Sequence, residues 1–188
     1  VMGKSTGGAL TTGYRNVLIG DNSATGWDAE HDNVAIGYDA MNGGVNGGDY
    51  CVAIGSSALA GAVTQDGTVA IGSRALTALT TGVGNLAIGK NAMSTQTDGD
   101  YNTVIGNTAF DAADSGESNN VVIGYSAGGA LNAAATDNNV FIGYNAGLGG
   151  TATRAGNVAI GSGAWDAAVN IGGSENIFIG QDSGGGTW

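Results

Sequence analysis

Side chains able to do chemistry are few in this chain. His31 is the only histidine and Cys51 the only cysteine among 188 residues. A catalytic dyad or zinc site at His31 would have to draw on carboxylates of its own stretch, Asp28-Ala-Glu-His-Asp32. General acid-base and nucleophilic chemistry need a second group positioned against the first, so the stretch reads as a solvated loop. One cysteine excludes an intrachain disulfide and any cysteine-based metal cluster. Acids gather at Asp98 and Asp100, at Asp111, Asp114 and Glu117, and around Asp28 to Asp32, and calcium takes oxygen ligands from such loops. The calcium-binding nonapeptide is missing and the acids share no column of the repeat described below, so turn formation is the better account of them. No metal or cofactor is expected, and no enzymatic activity.

Two glycine-rich strings imitate phosphate loops. Gly184-Gly185-Gly186 lacks a following Lys-Ser/Thr, and Gly3-Lys4-Ser5-Thr6 is locked to the register of the repeat. Aromatic residues offer a different chemistry, because a ring face can pack on a sugar. Tyr38, Tyr125 and Tyr144 each follow a repeat glycine directly and are candidate glycan contacts, although stacked tyrosines also serve to cover a solenoid edge; Trp27, Trp165 and Trp188 are the only tryptophans.

The elements that would position these residues follow from the composition. Glycine supplies 37 residues, proline none, and the apolar 42% is mostly Ala, Val and Ile. Small β-branched residues suit strands and glycine suits turns. The formal charge of −11 comes from 16 acids against five bases, Lys4, Arg15, Arg74, Lys90 and Arg154. Such a surface repels phosphate, so neither nucleic acid nor membrane is expected as a partner, and no apolar run reaches the roughly 18 residues of a membrane helix.

One block recurs along the whole chain: Asn, Val, small or apolar, Ile, Gly, two polar residues, Ala. Its glycines are Gly20, Gly37, Gly55, Gly72, Gly89, Gly106, Gly124, Gly143, Gly161 and Gly180, with a cut-off copy at Gly3. Their spacing stays between 17 and 19 residues, and every extra residue falls outside the block. A stacked strand cannot gain a residue without turning its side chains over, whereas a surface turn lengthens cheaply. The spacing therefore predicts an all-β fold, a parallel β-solenoid of about ten to eleven rungs. Ten intervals at roughly 4.8 Å make a rod about 50 Å long.

Positions are numbered here from the repeat glycine, taken as 0. Position −4 is Asn in eight of ten complete copies, including Asn33, Asn85 and Asn157, with Cys51 and Thr68 as exceptions; stacked asparagines can form a hydrogen-bonded ladder. Positions −3 and −1, exemplified by Val34 with Ile36 and by Ile88 and Ile160, share a face by period-two alternation and are expected to line the interior. Position −2, Ala in five of the ten copies, lies on the other face and is never polar. A strand apolar on both faces is buried on both, so that second face should meet another copy of the chain. Gly37, Gly89 and Gly161 mark the bend, and Ala40, with its counterparts at +3, marks a corner. The return stretch of about ten residues leaves open a second short strand or a helical turn, as in Ala75 to Leu79 and Ala109 to Ala113.

The runs Asn33-Val-Ala-Ile-Gly-Tyr-Asp-Ala40, Asn85-Leu-Ala-Ile-Gly-Lys-Asn-Ala92 and Asn157-Val-Ala-Ile-Gly-Ser-Gly-Ala164 resemble the head repeats of YadA-like trimeric autotransporter adhesins. They are still closer to the Asn-x-Ala-Ile-Gly-Tyr-Asn-Ala-Leu repeats of phage tail fibres and bacterial surface proteins. The resemblance covers essentially residues 1–188 as one repetitive segment. It implies a left-handed roll, a homotrimer, and display on a virion or bacterial cell surface for attachment, with a host-surface glycan or protein as receptor. The autotransporter heads have shorter repeats, so the longer return segment favours the fibre kin. A start and stop inside the repeat pattern suggests a segment of a longer fibre.

The leading expectation is thus a structural or adhesive fibre segment. An ice-binding solenoid is the alternative from another class, but it needs a continuous threonine column that Thr11-Thr12 and Thr80-Thr81 do not supply. A depolymerase carried on a fibre is the third, and it needs paired carboxylates in a groove.

Overall fold

In the computed structural model the described residues are 1–43, 48–61, 64, 66–113, 115–130, 136–149, 155–166 and 173–185. Ten three-residue strands follow one another: β1 (Val17–Ile19), β2 (Val34–Ile36), β3 (Val52–Ile54), β4 (Val69–Ile71), β5 (Leu86–Ile88), β6 (Thr103–Ile105), β7 (Val121–Ile123), β8 (Val140–Ile142), β9 (Val158–Ile160) and β10 (Ile177–Ile179). They form one parallel sheet in sequence order, and Met2 bridges to Ile19 ahead of β1. Every pair is in the register the repeat prescribes, as in Val34 with Val52 and Ile36 with Ile54. The fold is a β-solenoid.

Hydrogen bonds along the axis continue well beyond the strands. The repeat glycine donates to the isoleucine of the preceding rung, Gly55 to Ile36 at 2.7 Å. Position +2 donates to the preceding rung, Ser57 to Tyr38 at 2.8 Å, and position +4 to the following one, Leu59 to Ala75 at 2.9 Å. Among the described residues the return segments contain turns and bends and no helix or second strand. Ala75 to Leu79 and Ala109 to Ala113 are turns, with Leu79 donating back to Leu76 at 3.3 Å. Apolar spacing there reflects inward-pointing corners and not helical periodicity.

The glycine column answers to two constraints at once. Gly55 has φ of 136°, a conformation closed to side-chain-bearing residues. A Cβ on it would also sit 2.6 Å from the Gly72 carbonyl carbon and oxygen of the next rung. The +2 position closes a turn from Gly37 to Ala40 (3.3 Å) and has positive φ, 53° at Asp39, as the third residue of a type II turn does.

The interior reverses the expected sidedness. Position −2 points inward, with Ala35, Ala53, Ala70, Ala87, Val104, Val122 and Phe141 wholly buried. Positions −3 and −1, expected to line the core, face outward. The asparagine backbone and side chain explain why: Asn at −4 points in to make the ladder described below, and alternation then forces −2 inward with it.

An interior this narrow holds about one large side chain per rung. Where the strand contributes only Ala35, Ala53, Ala70, Ala87 or Ala159, the +4 corner contributes Met41, Leu59, Leu76, Met93 or Trp165, all buried. Where the strand carries Phe141 or Phe178, the corner is Gly147 or Gly184, and a Cβ on Gly147 would meet Phe141 Cγ at 2.7 Å. These corners hold left-handed backbone even at Met41 (50°), Leu76 (49°) and Phe110 (52°), and burial of the side chain offsets the roughly 1–2 kcal/mol that the conformation costs.

Gly55→Ala is expected to cost about 3 kcal/mol or more in chemical denaturation, from strain and backbone clash together. Gly67→Ala, at φ 73° with nothing within 4 Å of the added methyl, should cost only about 1 kcal/mol. Phe141→Ala should lose about 3–5 kcal/mol; adding Gly147→Leu, which recreates the arrangement of the neighbouring rungs, should restore a measurable part of it.

Candidate interaction face

The site is built on the outward strand face. Val17, Val34, Val52, Val69, Leu86, Thr103, Val121, Val140, Val158 and Ile177 form one column, and ten isoleucines from Ile19 to Ile179 form the other. Most are half-buried among themselves, while the outer pair Ile177 and Ile179 are 70% and 68% exposed. Thr103 is the sole polar residue in the two columns, and no charge enters them. The stripe is about 7 Å wide and nearly the length of the rod. The two columns thus form one continuous uncharged face on the outside of the rod.

Behind this face runs the asparagine ladder, which holds the strands in register from inside. Asn102 Oδ1 accepts the Asn120 backbone N–H at 3.0 Å and its Nδ2 at 3.1 Å. The pattern repeats from Asn120 to Asn139, Asn139 to Asn157 and Asn157 to Asn176, at 3.0 to 3.1 Å. Other Nδ2 bonds reach return-segment carbonyls, as Asn102 does to Glu117 at 2.8 Å and Asn120 to Thr136 at 2.7 Å. Asn33, Asn85 and Asn157 are all members. At the first exception, the Cys51 N–H still takes the Asn33 Oδ1 at 2.7 Å. Burial raises the Cys51 thiol above its ordinary range, which suppresses the thiolate.

A second ladder escaped the sequence reading. Asp49, Asp66, Asp100 and Asp137 all occupy position −6, so the acids do recur at one column. Each accepts a backbone N–H from the preceding rung: Asp49 from His31 at 2.8 Å, Asp66 from Asp49 at 2.9 Å, Asp100 from Val83 at 2.8 Å and Asp137 from Ser118 at 2.8 Å. The signal was available in the numbering from the glycine; the neighbouring acids of the variable segment masked it. Asp98 accepts from Gly116 at 2.7 Å. Desolvation raises the Asp111 carboxyl above its ordinary range. Asp114, Arg154, Gly186 and Trp188 lie outside the described residues. Among the described residues no group of three or more His, Cys, Asp or Glu is placed to hold a metal ion, and no helix is long and apolar enough to cross a membrane.

The three tyrosines at +1 flank the apolar stripe and are all exposed. Tyr125 and Tyr144 stack, with ring centroids 5.6 Å apart and planes 9° from parallel. Tyr38 stands on β2's rung, five rungs from Tyr125 on β7's, so the structure assembles two of the three and leaves the third alone. Trp27 and Trp165 are buried in the core and have no outward ring. In the loop around His31 the ring stacks on Tyr14 at 4.8 Å and lies between two carboxylates, and Arg15 pairs with Asp32 through both nitrogen–oxygen contacts at 2.5 Å. Arg15, Asp32 and Tyr50 all have φ of 57° to 60°, in a −5 column of left-handed residues where glycine stands at Gly67, Gly84 and Gly156.

No family model, curated protein or solved structure matches the chain.

Adjacent valines of one strand test the sidedness. In dilute solution Val122→Ser, on the buried face, is expected to cost about 2–4 kcal/mol through cavity and buried hydroxyl. Val121→Ser, on the outward face, should cost less than about 1 kcal/mol. Denaturant midpoints in the opposite order would mean that the faces are exchanged.

Proposed function

We propose that the chain is a structural and adhesive fibre segment that works as a bundle of identical rods, three side by side, displayed outside the cell on a phage tail or bacterial surface and used for attachment. The observation that carries this reading is the uncharged Val/Ile stripe running the length of a regular rod. Parallel sheets bury both faces, and one chain buries only the inner one. A stripe with the same residue at every rung is self-complementary: a second copy laid alongside meets the same spacing at each level. The −11 charge lies off this stripe, where it opposes further lateral growth. The repeat runs quoted above, which resemble those of phage fibres and trimeric adhesins, support the surface setting.

Receptor contact falls in this reading to what remains exposed at the flanks, where the Tyr125 and Tyr144 stack offers ring faces to a glycan or protein. Catalysis has no part in it.

Native mass spectrometry at micromolar concentration should give the mass of three chains. Ile88→Asp with Ile105→Asp, placing charge at the middle of the stripe, should give folded monomers with an unchanged circular-dichroism spectrum. A wild-type monomer would overturn the bundle. Labelled rods should bind target cells saturably and lose affinity at least about tenfold with Tyr125→Ala and Tyr144→Ala; a trimer that binds no cell surface would overturn the adhesive half of the reading alone.

A further inference from the structure

All six tyrosines stand on the outside of the rod, each 50% to 61% exposed, so access from solvent does not distinguish them. Proximity does. Among the described residues Tyr125 and Tyr144 are the one pair of tyrosines in ring contact, with centroids 5.6 Å apart and planes 9° from parallel. Tyr14 and Tyr50 each meet the His31 ring instead of one another. The backbone fixes the separation of the pair: Val121 is in register with Val140, the Gly143 N–H donates to Ile123 at 2.8 Å, and the Asn145 N–H donates to Tyr125 at 3.0 Å. The rings project from this fixed frame into solvent, where each can turn about its own side-chain bonds.

We infer that Tyr125 and Tyr144 form an oxidative cross-linking site, at which a haem peroxidase using hydrogen peroxide joins the two phenols and staples the rung of β7 to that of β8. The oxidant takes one electron from each phenol, and each hydroxyl proton passes to water, leaving two tyrosyl radicals. An ortho ring carbon, Cε, of one radical bonds to that of the other. Each of these carbons then loses its hydrogen as a proton, and each phenolic oxygen regains one. Two C–H bonds are thus replaced by one C–C bond, and the two electrons and two protons released reduce one peroxide to two waters. The strands need not move for this: the residues are one rung apart, about 4.8 Å, so stacked rings that swing edge to edge bring their ortho carbons together. Two radicals held on adjacent rungs meet at an effective concentration far above that of another chain in dilute solution. Trp27, Trp165, Met41 and Met93, which such an oxidant could also attack, are buried in the core.

Treatment of the full chain at micromolar concentration with a haem peroxidase and hydrogen peroxide tests the inference. The product should be a single chain lighter by two hydrogen atoms that shows dityrosine fluorescence. Proteolysis at acidic residues cuts between the two tyrosines at Asp137 and should release their fragments joined, in a yield at least about tenfold above that of any other tyrosine pair. Tyr144→Phe, which keeps an aromatic ring and removes the phenol, should abolish the link, as should Tyr125→Phe, whereas Tyr38→Phe should leave the yield unchanged. In the linked chain, hydrogen-exchange protection of the Asn145 amide, whose N–H crosses these rungs, should rise by about fivefold. The inference fails if no intrachain link forms, if links between chains take its place, or if Tyr144→Phe cross-links as the wild type does; a link that leaves the Asn145 amide unchanged overturns the staple.

Discussion

Everything in this rod depends on hydrogen bonds that run parallel to its axis and demand that each rung repeat the last. They are carried by the strand backbone, by the glycine bend, by the +2 and +4 turn positions, and by two side-chain ladders of opposite direction. In the asparagine ladder the next rung donates to the Oδ1 of the one before, as Asn120 does to Asn102. In the aspartate ladder the earlier rung donates to the later, as His31 does to Asp49. Where both ladders are present, as at Asp100 with Asn102, a rung is tied to its neighbours on the N-terminal side of its strand through bonds of both directions. A buried asparagine with an unmatched amide would cost about 1–3 kcal/mol, so a rung out of register loses ladder and backbone bonds together. That penalty keeps insertions out of the block.

The same stacking dictates what the interior can hold. Rungs about 4.8 Å apart leave little depth per level, and the small −2 residue sets the width. The exchange of bulk between strand and corner, Ala with Leu59 or Met93 in some rungs and Phe141 or Phe178 with glycine in others, keeps the filled volume nearly constant while neither position is constant by itself. Phe141 and Phe178 both contact Trp165 from the rung between them, with centroids 6.2 and 5.1 Å apart, so large side chains nest across levels as well as within them.

The repeat, the strand positions, the pairing register, the glycine bend and the asparagine ladder are all legible in the chain, because each is a matter of spacing. Sidedness was not. With Val, Ala and Ile in the strand, hydrophobicity is the same on both faces and carries no direction, and the usual preference for large residues inside points the wrong way when a rung has room for about one large side chain and the corner supplies it, as Met41 and Leu59 do. Asn at −4 was the usable clue, since a ladder of unexposed amides places −2 beside it on the inner face. The left-handed columns were signalled only in part: glycine stands at +4 in Gly128, Gly147 and Gly184 and at −5 in Gly67, Gly84 and Gly156, while at Met41, Leu76 and Arg15 the stack imposes positive φ without it. His31 looked isolated since its second carboxylate, Asp49, is 18 residues away, which is one rung in space.

Sidedness also changes what the outward face means. Had Val and Ile filled the core, the outside would carry alanine and ask for nothing. With alanine inside, the larger and stiffer side chains stand outside, where a lone rod gains nothing from them that threonine would not supply. Thr103 shows that the −3 position accepts such a residue without breaking the register with Leu86 and Val121. Nine apolar residues in that column and ten in its neighbour are therefore more than the register of one chain requires. Burial of a Val or Ile side chain is worth roughly 1.5–3 kcal/mol when complete, and these are only partly covered by one another. In the proposed bundle the remainder would be covered by the same stripe on another copy, which has the same rung spacing.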